Sequence, residues 1–287
     1  MSRNNSAGRI ERRDVHGILL LDKPHGLSSN QALQRVRYLM RAKKAGHTGS
    51  LDPLATGMLP LCFGDATRFS QAMLDADKTY EVVAELGRSS STGDAEGEKS
   101  AAVSVPSKSL QDWQRLADQF VGDIQQIPPM YSALKQDGKR LYELARAGKT
   151  TERKPRPVKI HALTVNGIDG DQLAFTVTCS KGTYIRTLVE DVAKAAGTLA
   201  WTHTLHRLSV APFQPPMYAL TEIEAAVEEG GADALLLGAD AGIRGWPSIT
   251  LSDSVARSFC LGQASDLEAQ FLDELGSGDT SGELVIR

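Results

Sequence analysis

Strand-like and helix-like segments follow one another along this chain without the regular β–α–β alternation of a doubly wound parallel sheet. The strand pattern is clearest at 79–86, where apolar residues at every second position predict that Tyr80 faces the interior or a cleft. A helix is predicted after Ser28, which forms a capping-box pattern with Gln31. Further strands are predicted at 17–22, 158–165, 172–179 and 201–210, and further helices near 113–120, 139–147 and 185–196. We therefore predict an α+β fold built on a mixed sheet.

Composition and cysteine usage exclude several classes of protein. The 287 residues are 41% hydrophobic and 23% charged, which is ordinary for a large globular domain with a smaller appendage. The longest unbroken aliphatic run, Ile18–Leu21, is too short to cross a bilayer, and no signal-peptide core follows the N-terminal arginines. Cys62, Cys179 and Cys260 are far apart and form no C-x-x-C pair, so we predict neither a disulfide framework nor a cysteine zinc site. This cysteine usage fits a reducing cytoplasm.

Charge is distributed unevenly along the chain. Residues 1–218 contain 29 Lys and Arg against 22 Asp and Glu, whereas residues 219–287 contain 3 against 13. Basic residues are concentrated at 1–44 and 135–159. Two such clusters could follow a phosphate backbone, but a basic tail and a solvated loop would give the same pattern. The charge distribution permits nucleic-acid binding without establishing it.

The glycine-rich loop 46–57 is the segment whose side chains are the strongest candidates for a catalytic role. It is not a phosphate-binding P-loop, because no Gly-Lys-Ser/Thr sequence follows its glycines. It contains His47 and Asp52, and Pro53 restricts Asp52 to an extended conformation that would aim the carboxylate outward. An Asp-Pro turn with an incidental histidine is the simpler interpretation of this loop taken alone.

Five sequence blocks change that interpretation when they are considered together. They are 22–29 (DKPHGLSS), 46–60 (GHTGSLDPLATGMLP), 78–80 (KTY), 128–135 (PPMYSALK) and 180–186 (SKGTYIR). In this order and at these spacings the chain closely resembles the TruB family, the bacterial tRNA pseudouridine-55 synthases. The similarity runs from about Gly17 to Phe213, which is most of the chain.

The resemblance implies a mixed, mainly antiparallel sheet of the pseudouridine synthase type with flanking helices. It also implies isomerisation of one uridine in the T-arm loop of tRNA, in which the C1′–N1 bond breaks, uracil rotates and a C1′–C5 bond forms. Nothing is oxidised or hydrolysed overall, so no cofactor and no metal are expected. We expect a cytoplasmic monomer with no membrane association and no obligate protein partner.

The resemblance makes Asp52 the essential catalytic carboxylate. Whether Asp52 attacks the base, attacks the sugar or removes a sugar proton stays open. Arg186 matches the family's arginine, and an ionised carboxylate in a closed pocket needs such a cation to offset its desolvation. Asp94 matches a second acidic motif of the family, and we assign it no role.

Five positions carry over to substrate binding. The target base must leave its stack before it can react, and Tyr80 matches the tyrosine that stacks on it, which also places Tyr80 with the catalytic residues. Tyr184 and Leu205 align with further positions of the base pocket. His47 matches a histidine that enters the T-loop. Lys23 belongs to the first block, which we interpret as support for the active-site loop.

The predicted domains are a disordered basic tail at 1–15, a catalytic domain at 16–246 and a short acidic C-terminal segment at 247–287. Family members usually end in a compact RNA-contacting β domain, so this segment is either a reduced PUA-like β appendage or a truncated one. Two other hypotheses stay open beside a stand-alone synthase. The chain could act mainly by assisting tRNA folding, or it could be a guide-RNA-dependent relative that works with further subunits.

Overall fold

A computed structural model of the chain describes residues 11–136, 138–249, 251–262 and 285–286. Its contacts divide the chain into two units, Met1–Gly242 and Ile243–Arg287. The helices are α1 (Ser29–Leu39), α2 (Ser70–Asp75), α3 (Leu110–Asp118), α4 (Leu141–Arg146), α5 (Ile185–Ala195), α6 (Leu220–Glu228) and α7 (Asp253–Cys260), with short 3-10 helices at Gly64–Phe69, Ala232–Leu235 and Ala241–Ile243. None of the helices in the described residues is long and apolar enough to span a membrane.

The first unit is built on an eight-stranded sheet. The strands of the chain are β1 (Gly17–Lys23), β2 (Ala45–His47), β3 (Thr56–Phe63), β4 (Lys78–Leu86), β5 (Gly122–Gln126), β6 (Lys135–Gln136), β7 (Lys139–Arg140), β8 (Arg156–Asp169), β9 (Gln172–Cys179), β10 (Ala200–Val210), β11 (Ser248–Ile249) and β12 (Val285–Ile286). The sheet order is β1-β3-β10-β4-β9-β8-β5, and β2 also pairs with β3. Within this sheet, as far as the described residues show it, β3 and β10 pair in parallel and the other neighbouring strands pair antiparallel, so the predicted mixed and mainly antiparallel sheet is confirmed.

The parallel contact between β3 and β10 depends on a glycine. Gly57 has a φ of +98°, and a Cβ at this position would lie 2.3 Å from the backbone oxygen of Arg207. Only glycine accepts both the positive φ and this close approach. Because the loop that carries Asp52 leads directly into β3, Gly57 helps to place that loop beside β10.

Local sequence signals explain most of these elements. Ser28 caps α1 as predicted, since its hydroxyl accepts from the Gln31 amide at 3.3 Å and the Gln31 side chain accepts from the Ser28 amide at 2.9 Å. On β4, Tyr80 is buried as the alternation predicted. The helix predicted at 139–147 begins only at Leu141, because residues 139–140 pair with β6 in a short hairpin.

The predicted tail at 1–15 is corrected for its last five residues. The Arg13 amide donates to Arg41 O at 2.8 Å, and its guanidinium binds Asp233 at 2.6 Å. Val15 is buried in the core. These contacts attach residues 11–15 to the domain, and residues 1–10 of the predicted tail lie outside the described residues.

Three hydrophobic clusters form the core of the first unit. The largest lies between the sheet and helices α3 and α5 and includes Trp113, Val177 and Leu188. Leu51 and Leu54, from the loop that precedes β3, also belong to this cluster. A second cluster packs under α1 and α6, and a third packs around Met73. The core therefore reaches directly under the loop that carries Asp52.

The second unit contains a parallel pair of two-residue strands, β11 and β12, and the helix α7. The sequence predicted a domain boundary after residue 246, and the contacts place it after residue 242. β12 lies within the acidic C-terminal segment predicted at 247–287, and residues 250, 263–284 and 287 of that segment lie outside the described part.

Candidate active site

A stiff loop presents Asp52. The neighbouring residues Leu51 and Leu54 are 6% and 4% exposed, and burial of a leucine side chain contributes about 1.5–3 kcal/mol. Ser29 is joined to Leu51 twice, since its hydroxyl accepts from the Leu51 amide at 2.7 Å and donates to the Leu51 carbonyl at 3.1 Å. The Asp52 carbonyl accepts from the Ala55 amide at 3.0 Å. The backbone on both sides of Asp52 is therefore fixed.

Lys23 supports this loop from below. Its side chain is fully buried, and its Nζ donates to Leu27 O at 2.6 Å, to Pro24 O at 2.9 Å and to Pro53 O at 3.4 Å. Burial lowers the pKa of Lys23 to about 8, and the Asp52 charge opposes that shift. Lys23 lines neither of the cavities beside Asp52. The predicted loop support agrees with these contacts, and the assignment of Lys23 to substrate binding stays a prediction.

Arg186 lies at the start of α5 and is held from two directions. One nitrogen, Nη2, binds Asp52 Oδ2 at 2.9 Å and Tyr131 O at 2.7 Å. The other, Nη1, binds Thr92 O at 2.7 Å and Asp94 Oδ2 at 3.3 Å. The planar fork of arginine allows these two sets of contacts at once. The predicted pairing of Arg186 with Asp52 is present in the structure.

The electrostatics of Asp52 follow from this arrangement. The Arg186 side chain is 6% exposed, whereas the Asp52 side chain is 43% exposed, so the carboxylate is accessible from solvent. Burial raises the pKa of Asp52 above its ordinary value, the Arg186 charge lowers it in part, and the Asp94 carboxylate adds to the rise. Arg186 is therefore a buried cation that favours the ionised form of a carboxylate which reaches solvent.

A cavity of about 260 Å³ opens on one side of Asp52. Its walls bring together the three residues that were predicted for a base pocket, Tyr80, Tyr184 and Leu205. Burial raises the pKa of both tyrosines, so their hydroxyls stay protonated near neutral pH. The walls are largely apolar and aromatic, and they carry Lys78 and Arg207 besides the Asp52–Arg186 pair. Such a cavity is suited to a flat, partly polar group such as a nucleobase.

A larger groove of about 730 Å³ lies on the other side of Asp52, which lines both spaces together with Arg186. His47 lines this groove, and burial lowers its pKa, which keeps the imidazole neutral near neutral pH. The His47 Nδ1 is buried and makes no hydrogen bond. The groove is also lined by Arg140 and Arg146, whose guanidinium carbons lie 5.8 Å and 5.5 Å from the centre of the Tyr142 ring. It therefore offers cations and an aromatic ring.

The structure adds three residues to those predicted. Asp94 is 3% exposed and pairs with Arg186, which gives a role to a motif left without one. Arg207 is 1% exposed and donates to Met58 O at 2.6 Å and Gly49 O at 3.0 Å, so it ties the two ends of the Asp52 loop to β10. Gln126 binds both the amide and the carbonyl of Tyr184, at 3.0 Å and 3.3 Å. Of these three residues, only Asp94 had a sequence signal, its place in the acidic motif at 93–97 (GDAEG).

Within the part of the chain that the structure describes, no group of three or more His, Cys, Asp and Glu side chains is arranged to hold a metal ion. His206 is hydrogen-bonded to the Thr56 hydroxyl at 2.8 Å, and His203 lies against the Trp201 ring. The expectation that the reaction needs neither a metal nor a cofactor stays a prediction.

The chain is similar in sequence to known pseudouridine synthases. A sequence model described as "TruB family pseudouridylate synthase (N terminal domain)" matches residues 37–185. The protein called tRNA pseudouridine synthase B in Stutzerimonas stutzeri (strain A1501) is 53% identical over 258 residues, which are 88% of this chain and 84% of that protein. The protein of the same name in Pseudomonas aeruginosa (strain UCBPP-PA14) is 50% identical over 256 residues, with the same coverage.

Solved structures with the same fold were also found. The one described as "Crystal Structure of a Cbf5-Nop10-Gar1 Complex" aligns with a TM-score of 0.68 and 26% identity, over 86% of this chain and 67% of that chain. The one described as "Structure of H/ACA RNP bound to a substrate RNA containing 2'-deoxyuridine" aligns with a TM-score of 0.67 and 24% identity, over 87% of this chain and 68% of that chain. At 24% identity, this second structure shows only that the fold is shared.

Proposed function

The chain belongs to the TruB family of pseudouridylate synthases, and we propose that it converts uridine 55, in the T-arm loop of tRNA, to pseudouridine. The observation that carries this proposal is the placement of Asp52. An accessible carboxylate, paired with a buried arginine, stands between a base-sized cavity and a groove with exposed cations. An RNA strand in the groove can deliver one base to the cavity beside this carboxylate.

Base flipping is the first requirement of the proposed reaction. No side chain can reach the glycosidic bond of a stacked nucleotide, so the target uridine must rotate out of the T-loop. Tyr80 offers an aromatic face for the uracil ring in the cavity, with Tyr184 and Leu205 as further walls. His47 lines the groove, where its ring is suited to fill the place that the uridine leaves or to contact a neighbouring nucleotide.

The chemical step needs Asp52 in its ionised form. The C1′–N1 bond breaks, the uracil turns within the cavity and a C1′–C5 bond forms. The proton on C5 is lost to solvent, and N1, which carried no proton while it was bonded to C1′, takes one up. Attack on the base, attack on the sugar and removal of a sugar proton all begin from the carboxylate. Arg186 keeps Asp52 ionised and oriented in each of these paths, because it is fixed by four contacts and cannot turn away.

The chain is proposed to act alone, in the cytoplasm, as a monomer and without cofactor or metal. The same RNA-binding surface is proposed to assist tRNA folding, an activity that would not require Asp52. A guide-dependent enzyme, by contrast, would stay inactive on tRNA until further components were added. Activity of the purified chain on a short T-arm RNA therefore separates these alternatives.

The test uses an unmodified T-arm stem-loop that carries tritium at C5 of its uridines. Purified wild type, Asp52→Asn and the control Asp65→Asn are incubated with it in the presence of EDTA. Asp65 is an exposed carboxylate paired with His16, so its variant controls for the loss of one negative charge. We expect tritium release by wild type and Asp65→Asn and none by Asp52→Asn. Release by Asp52→Asn, or none by wild type that binds the stem-loop, would refute the proposal.

A further inference from the structure

Residues 88–100 form the loop that holds Arg186 on the side away from Asp52. The Thr92 carbonyl and the Asp94 carboxylate both accept hydrogen bonds from Arg186 Nη1. No helix or named strand runs through these described residues, and isolated bridges join Ser90 to Lys99 and Asp94 to Thr202. A few backbone hydrogen bonds and a set of side-chain contacts together fix the shape of the loop and the placement of the two acceptors.

Lys99 makes four of the side-chain contacts from within the loop. Its Nζ donates to Asp94 O at 2.8 Å, Gly97 O at 2.9 Å and Ala95 O at 3.1 Å, and it lies 3.4 Å from the Ser90 hydroxyl. An ammonium group has three N–H donors, so the turn engages all of them. One of the three carbonyls belongs to Asp94 itself. The Lys99 ammonium thus binds three backbone carbonyls of the turn at 94–97.

A second contact attaches Lys99 to the sheet. Its Nζ lies 4.0 Å from the centre of the Trp201 ring, and a cation is attracted to the face of an indole. Trp201 lies on β10, next to Thr202, whose amide donates to Gly93 O at 3.0 Å. The loop is therefore joined to β10 by one backbone hydrogen bond and one cation–π contact, which involve the adjacent β10 residues Thr202 and Trp201.

From these contacts we propose that Lys99 is a positioning residue for the reaction, acting through Asp94 and Arg186 on Asp52. Lys99 fixes the turn and attaches it to Trp201, so that Thr92 O and Asp94 stay against Arg186. Arg186 in turn keeps its other nitrogen on Asp52. Lys99 lines neither cavity and does not touch the substrate site. This inference rests on the proposed function and adds Lys99 to the residues that position Asp52 for it.

The test compares wild type, Lys99→Met and the control Lys194→Met in single-turnover conversion of the T-arm stem-loop. Lys194 is exposed in the last turn of α5, the helix that begins with Arg186, so it matches the change of side chain away from the site. We expect Lys99→Met to lower the rate roughly 10-fold while the Kd for the stem-loop stays within about 2-fold. The pH below which the rate falls should move upward, because a less firmly held Arg186 lowers the pKa of Asp52 less. Lys194→Met should leave the rate and this pH unchanged.

A double-variant cycle tests the proposed route. In the Asp94→Asn background, Lys99→Met should change the rate by no more than about 2-fold, because the two side chains act through the same arginine. Equal effects of Lys99→Met in both backgrounds would overturn the proposal, and so would a rate and a pH limb like those of Lys194→Met. A thermal unfolding curve for each variant separates loss of fold from loss of position.

Hydrogen exchange gives a readout that does not require activity. The amides of Ser91, Ser100 and Thr202 are hydrogen-bonded within the loop or between the loop and β10. Faster exchange of these amides in Lys99→Met is expected, and unchanged exchange would overturn the role of Lys99. An inactive wild type would refute the proposed function, whereas an active wild type with an unaffected Lys99→Met would refute this inference alone.

Discussion

Replacement of Arg186 by lysine separates its contact with Asp52 from its contact with Asp94. A lysine ammonium is a single point with three donors, so it cannot serve acceptors on two sides as the guanidinium does. The side chains of Asp94 and Asp52 are 5% and 43% exposed, and the buried carboxylate has the greater need of a cation. We therefore expect the lysine to stay with Asp94 and to leave Asp52 without its partner.

The size of the effect follows from that one lost contact. A hydrogen bond between charged groups contributes about 1.5–3 kcal/mol, and the partial exposure of Asp52 places the loss near the lower end. About 1.5–2 kcal/mol corresponds to roughly 10- to 30-fold in rate. The carboxylate should also titrate at a higher pH, because the arginine charge no longer lowers its pKa to the same extent.

The assay is single-turnover conversion of the T-arm stem-loop by Arg186→Lys across a range of pH, with the Kd measured in parallel. A rate 10- to 30-fold below wild type with an unchanged Kd is expected from the estimate above. Arg186→Met serves as the comparison, because it leaves Asp94 buried without a cation and should destabilise the fold by about 3–5 kcal/mol. A wild-type rate in Arg186→Lys would refute the argument that the arginine fork holds Asp52.

The remaining predictions concern the base cavity, the pH profile and the C-terminal segment. Tyr80→Phe should retain the rate within about 2-fold, whereas Tyr80→Leu should lose roughly 5- to 160-fold, because a base stacked on an aromatic ring gains about 1–3 kcal/mol; equal rates for the two would exclude stacking. The rate of the wild type should fall with decreasing pH around a pKa above the ordinary value for aspartate, since burial raises the pKa of Asp52 and only the ionised form acts; a rate that falls only at or below that ordinary value would contradict this. Deletion of residues 247–287, which contain 7 Asp and Glu against 2 Lys and Arg, should leave the Kd for tRNA within about 2-fold at moderate salt, and a large loss of affinity would show that this segment contacts the RNA.

Local signals in the sequence were sufficient for most of the fold. The alternation at 79–86 predicted β4 and the buried side of Tyr80, and Ser28 with Gln31 predicted the start of α1. Each of these patterns depends on residues a few positions apart, which is the range over which periodicity and capping act. The short β6–β7 hairpin was missed because its two-residue strands lie in a basic stretch without hydrophobic alternation.

Long-range polar contacts could not be predicted in the same way. Asp94 and Arg186 are 92 positions apart, and Arg207 binds carbonyls of residues about 150 positions away. Nothing in the local sequence distinguishes a charged side chain that is buried by such contacts from one that is solvated. Arg13 was assigned to a tail for the same reason, because its partner Asp233 lies at the other end of the unit.

The most direct test of the central claim maps the product on a full-length, unmodified tRNA transcript. Purified wild type and Asp52→Asn are each incubated with the transcript, without other proteins or guide RNA, and pseudouridine is located at single-nucleotide resolution. The proposed function predicts complete conversion at uridine 55 by wild type and none by Asp52→Asn, which should still bind the transcript with the affinity of wild type. Pseudouridine at position 55 after incubation with Asp52→Asn, or its absence after incubation with wild type that binds, would contradict the central claim.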